Sequence, residues 1–146
     1  MRRPIPLTAN GGQPSAKMIA VARRLARHIE TADRRLLART FASGNVTIVE
    51  NFPPCLFEGP RAVGAWAKGM RAHLAGITAL RHSFGPARDF SRTGDDVYFS
   101  LPTTWRGIVR GKRFTENGGW AFVLTKQKGS WRVRGYGWAV IASSAR

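Results

Sequence analysis

Only eight acidic side chains occur among 146 residues, so acid–base chemistry must fall to very few groups. Glu50 is the first candidate. It follows the run Val46-Thr-Ile-Val49 and precedes Asn51-Phe52-Pro53-Pro54, which sets a carboxyl at a strand end beside a rigid turn. A carboxyl among apolar neighbours can be tuned to give or take a proton near neutral pH. The competing reading pairs it with one of the many arginines. Asp33, Glu58, Asp89, Asp95 and Asp96 fall in turns or at helix starts, where capping explains them. His82 shares a predicted strand face with Leu80 and Phe84, as an interior acid–base group or a hydrogen-bonded core histidine. Tyr98 is a candidate hydrogen-bond donor to a developing oxyanion, and Glu116 is a further polar group. Asn51 either touches a ligand or makes an Asx turn ahead of the prolines. His28 and His73, on predicted helices, are read as surface residues.

Metal and cofactor motifs are missing from the pattern. Three histidines on separate elements and a single cysteine, Cys55, show no ligand spacing. Gly107-Ile-Val-Arg-Gly111 lies between strands and is no phosphate loop, and no G-x-S-x-G elbow occurs. The chemistry is therefore expected to need no metal and no cofactor.

The elements that must position these groups are legible from periodicity. Residues 1–14, with three prolines and two glycines, are expected to be a mobile lead-in, and 15–146 a single domain. Met18, Val21, Ala22, Leu25 and Ile29 recur at helical spacing, with Lys17, Arg23, Arg24 and Arg27 on other faces. This predicts a core-covering helix with a solvated basic face, in preference to a membrane-surface helix. Thr31 caps a second helix that ends at Ser43-Gly44-Asn45, and Gly59-Pro60 opens a third, striped by Val63, Trp66, Ala67, Met70 and Leu74.

Beyond Ile77 the pattern turns to strands. The first runs from Thr78 to Phe90, and the next from Asp96 to Arg110, with Tyr98 and Ser100 opposite Val97, Phe99 and Leu101. Pro102 marks an edge or a bulge. A terminal aromatic hairpin turns at Gly129, and its parity shift between Val133 and Tyr136 asks for a bulge near Gly135 or Gly137.

The net charge of +16 admits a polyanionic partner, yet the basic residues are spread over the chain and form no tract. Nucleic-acid binding is accordingly the minor reading. No apolar run reaches the roughly 18 residues of a spanning helix. No apolar stretch follows Arg2-Arg3, so neither a secretory nor a twin-arginine signal is expected, and the protein is expected in the cytoplasm with no membrane role.

Phe41-Ala-Ser-Gly-Asn-Val-Thr-Ile-Val-Glu-Asn-Phe-Pro-Pro54, followed by Gly59-Pro60 and a helix, resembles the nuclear-transport-factor-2-like superfamily, in its SnoaL-like and ketosteroid-isomerase-like branch. Gly119-Trp-Ala-Phe-Val-Leu-Thr-Lys126, Gly129-Ser-Trp-Arg-Val133 and Gly137-Trp138 are similar to that superfamily's last two strands. The resemblance spans about residues 16–141. It implies an α+β cone, a cystatin-like roll in which a bent antiparallel sheet wraps round about three helices. It further implies a pocket at the open end, often with a homodimer through the sheet's outer face. That fold hosts isomerases, cyclases, dehydratases, hydrolases and non-catalytic partners.

The isomerases' residues do not carry over. Asn51 stands where their base aspartate falls, the first helix has no tyrosine, and their late-strand acid falls near Gly119 or Trp120. The resemblance therefore implies no true ketosteroid isomerase. It does imply a pocket for a small apolar or aromatic ligand, walled by Phe52, Trp66, Trp105, Trp120 and Trp138. Asn51 and Glu116 are expected as its polar contacts, and a histidine at the position of His82 lines the pocket in SnoaL-like proteins. The expected activity is a cofactor-independent isomerisation, cyclisation or dehydration of a small cyclic or aromatic substrate, with Glu50 or His82 as base. The alternative is a non-catalytic binding or assembly module whose basic surface meets an acidic partner or nucleic acid.

Overall fold

Seven strands form one bent sheet, and the helices close over its concave face. The computed structural model describes residues 12–144, so residues 1–11 of the expected lead-in lie outside the described residues. Helix α1 spans Ala16–Thr31, capped by the Ser15 hydroxyl, which accepts from the Met18 amide. A 3-10 turn, Arg34–Leu36, leads into the one-turn helix α2, Leu37–Thr40. Asp33 and not Thr31 caps that turn, its carboxylate accepting from the Arg35 amide at 3.0 Å. Strands β1 (Val46–Val49) and β2 (Leu56–Gly59) precede helix α3 (Ala62–His73). Then follow β3 (Ile77–Phe84), β4 (Arg88–Thr93), β5 (Asp96–Val109), β6 (Lys112–Gln127) and β7 (Ser130–Ser144).

The sheet order is β2-β1-β7-β6-β5-β3, with β4 also on β5. It is α+β as expected but mixed, not wholly antiparallel: β1 runs parallel to β7, pairing Thr47–Val49 with Gly135–Gly137. The single strand expected from Thr78 to Phe90 is two, because Gly85-Pro86-Ala87 interrupts it. β4 pairs with β5 over Asp96–Ser100 and β3 takes over from Thr103. Pro102 stands in the gap between them, where its missing N–H breaks no ladder. The expected bulge is present at Arg134, since Val123 pairs with Gly135 while Leu124 pairs with Val133.

The core lies between α1, α3 and the concave face. Met18, Val21, Ala22, Leu25, Ala26 and Ile29 bury one side of α1, and Trp66 on α3 is fully enclosed. From the sheet come Phe99, Leu101, Trp120, Phe122, Leu124 and Val133, as strand alternation requires. Gly118 is obligatory here: a Cβ on it would lie 2.2 Å from the Ala139 carbonyl and 2.7 Å from the Trp138 ring. Its absence lets Trp138 fold down toward Trp120, with ring centroids 5.7 Å apart. Among the described residues no helix is long and apolar enough to cross a membrane.

Candidate active site

Alternation along β1 decides which strand-end residue faces inward. Val46 and Ile48 are buried and Thr47 and Val49 are exposed, so the next inward position is Glu50, which is 5% exposed. Its amide donates to the Cys55 carbonyl at 2.9 Å, closing the turn between β1 and β2. No cation pairs with its carboxyl among the described residues, so the arginine partner that the sequence allowed is not there. The Trp66 indole N–H donates to Oε2 across a long 3.4 Å. The fully buried Tyr136 hydroxyl faces the same carboxyl without a hydrogen bond of good geometry.

Burial dominates the electrostatics. It pushes the Glu50 carboxyl up to about 8, against the opposing pull of the Trp66 and Tyr136 donors and with a contribution from nearby Glu116. The Tyr136 phenol is raised as well, by its own burial and then by the Glu50 charge.

Glu50 opens onto a cavity of about 530 Å³, within the size range of small-molecule sites. Trp105, Trp120, Trp138 and Phe114 supply its aromatic wall from the sheet. Ile29 of α1, Met70 of α3, and Leu74, Ile77 and Leu80 close the opposite side. Asn51, His73, Glu116, Arg110, Lys112 and Ser143 add polar groups. An acid, an amide and an aromatic box can hold a small ring and exchange a proton with it. Among the described residues no group of three His, Cys, Asp or Glu side chains could hold a metal ion.

A second buried pair lies one layer back. His82 Nδ1 is 2.7 Å from Glu30 Oε1, with the side chains 10% and 5% exposed. A carboxylate only accepts, so Nδ1 donates and a neutral ring leaves Nε2 with its lone pair. Nε2 is buried and has no hydrogen-bond partner. His82 is not on the cavity wall, as the resemblance implied. Its ring packs against Trp105, centroids 5.7 Å apart, and Trp105 forms the wall.

Four further expectations need correcting. Tyr98 lies on the outer face of β5, 37% exposed, with its hydroxyl 3.1 Å from that of Ser100, and cannot reach a ligand in the cavity. Trp66 and Phe52 are buried behind the wall and do not line it: Trp66 backs Glu50, and Phe52 packs on Phe57 and stacks on His73 at 4.7 Å. His28 is no surface residue. It is 5% exposed, with Nδ1 2.8 Å from the Asp33 carbonyl and its ring against Trp66. His73 is exposed but sits on the cavity rim.

Glu30 was missed altogether. The signal was its place four residues after Ala26 and eight after Ala22, in a helix's last turn, where the dipole disfavours a carboxylate.

The strand order, the cavity at one end of the bent sheet and the helices across it define the nuclear-transport-factor-2-like fold. Kfla4162 from Kribbella flavida superposes with a TM-score of 0.74 at 14% identity, covering 88% of this chain and 91% of its own. A hexachlorocyclohexane dehydrochlorinase, LinA type2, gives 0.73 at 10% identity over 88% of this chain and 86% of its own. A putative scytalone dehydratase from Novosphingobium aromaticivorans gives 0.69 at 12% identity over 87% and 85%. No family model matches the chain, and no curated protein matches it by sequence.

Proposed function

We propose that the protein catalyses a cofactor-independent proton transfer, an isomerisation or an elimination, on a small cyclic or aromatic molecule held in the 530 Å³ cavity. One observation carries this reading: a buried carboxyl without a cation, raised to about 8, on an aromatic cavity wall. Near neutral pH that carboxyl is mostly protonated. It gives its proton to a carbonyl or leaving hydroxyl oxygen of the substrate. The carboxylate so formed then takes a proton from a neighbouring carbon. The products are an isomer, or an alkene and water, and the enzyme regains its proton. His82, oriented by Glu30, is a second candidate base, packed behind the Trp105 ring. The dehydrochlorinase and the putative dehydratase among the similar structures support a search among eliminations.

The test needs no knowledge of the natural substrate. 2-Tetralone, a small aromatic ketone with exchangeable C–H bonds, is incubated with protein in D2O and its deuteration followed by NMR. Exchange above the buffer rate is expected, with Glu50→Gln lowering it by about 10²- to 10⁴-fold. A folded Glu50→Gln protein that exchanges as fast as the parent sinks the reading.

The expected homodimer belongs to the same reading. Tyr98 and Val123, paired on neighbouring strands, and Val49 and Leu56, paired at the sheet's edge, give the outer face an apolar character that a second copy would cover. Light scattering after gel filtration tests it; a monomer at high concentration removes it.

A further inference from the structure

A second cavity, of about 560 Å³, lies on the other side of the residues that close the first. Ile29, Met70, Leu74, Ile77 and Leu80 line both, so one apolar partition separates them. The far side of the second cavity is unlike the first: Arg34, Lys68, Arg71 and Arg81 surround it from the 3-10 turn, α3 and β3. Glu30 is the acid in this lining, and its carboxylate is taken by His82 at 2.7 Å. The side chains of Arg34, Lys68 and Arg71 make no hydrogen bond or ion pair among the described residues, while that of Arg81 reaches only the Leu80 carbonyl at 2.8 Å. The end of α1, at Thr31 and Ala32, brings only the partial negative charge of a helix C-terminus. Four full cations on three separate elements outweigh it.

We propose that this second cavity is an anion-binding site that takes the phosphate or pyrophosphate group of a small molecule. Converging cations from separate elements can contact several oxygens of one phosphate at once, and the planar guanidinium groups of Arg71 and Arg81 suit bidentate contact. The apolar partition gives such a ligand a face for its carbon skeleton. The site stands apart from the acid–base reading, because it is measured by binding without turnover.

The probe is inorganic pyrophosphate, titrated calorimetrically into the full chain at physiological salt. One equivalent is expected to bind. The double substitution Lys68→Gln with Arg71→Gln is expected to weaken binding about tenfold or more. The charge-matched pair Arg113→Gln with Lys128→Gln, on exposed parts of β6 and the β6–β7 turn, is expected to leave it within about twofold. Circular dichroism confirms that both proteins are folded. Binding of several equivalents, or equal losses in the two variants, would reduce the effect to net charge and overturn the site. No saturable binding overturns it as well.

1-Naphthyl phosphate separates the two sources of the anion. If it binds well above pyrophosphate and quenches the tryptophans of the first cavity, the phosphate is the handle of a ligand that crosses the partition. If it binds like pyrophosphate without quenching, the anion is a free small molecule.

Discussion

Glu50 and Glu30 are two almost equally buried carboxyls that the fold treats in opposite ways. Glu30 is given an imidazole at 2.7 Å, and the pair satisfies itself inside the protein. Glu50 is given an indole N–H at 3.4 Å, a phenol and no cation. The outcome follows from the partners: Glu30 serves to orient His82, while Glu50 keeps a proton that it can trade with whatever occupies the cavity. Identity of side chain decides little here. Desolvation against compensation decides the role.

The comparison can be broken at its strongest point first. Glu50→Gln keeps the shape and removes the proton, and should cost the tetralone exchange about 10²- to 10⁴-fold. Glu30→Gln, read in the same assay, should cost less, because it disturbs only the base behind Trp105. Equal losses would mean that His82 reaches the substrate directly.

Trp66 supports one member of the pair only. Trp66→Ala removes a fully buried ring and should cost about 3–5 kcal/mol in thermal or denaturant unfolding. Trp66→Phe, which removes the N–H donor but keeps an aromatic ring of smaller size, should raise the Glu50 carboxyl further, readable by NMR titration of its side-chain carbon.

The pH dependence of stability comes next. The native Glu50 keeps its proton up to about 8, whereas the unfolded chain releases it near the ordinary 4.5. Between those values the native state binds the extra proton, so this group's contribution to stability falls as pH rises. The slope approaches about 1.4 kcal/mol per pH unit and ends above the native value. Denaturant midpoints measured across that window should show it, and Glu50→Gln should flatten it. A wild-type profile as flat as the variant's would contradict the burial of an unpaired carboxyl. The smallest effect is expected at Tyr98: Tyr98→Phe should leave exchange unchanged and stability within about 0.5 kcal/mol, as for an exposed outer-face group.

Much of the frame was readable because periodicity reports burial. The α1 stripe, the terminal hairpin and its bulge followed from spacing alone. Tyr98 shows an expectation failing against its own pattern, since the alternation that buries Val97, Phe99 and Leu101 turns Tyr98 outward. β2 escaped because four residues between two prolines and a glycine carry too little pattern to mark a strand. The His82–Glu30 pair escaped for another reason. Its members are 52 residues apart, and nothing local in a sequence announces which helix turn will lie under which strand.

The parallel ladder between β1 and β7 also has a kinetic meaning. It joins Thr47–Val49 to Gly135–Gly137, so the backbone that carries Glu50 is pinned by a strand far along the chain. Tyr136, which faces the Glu50 carboxyl, belongs to that stretch too. Loop closure over so long a separation is slow compared with forming a helix or a hairpin. The carboxyl therefore reaches its dry surroundings late, after the helices and local hairpins have formed.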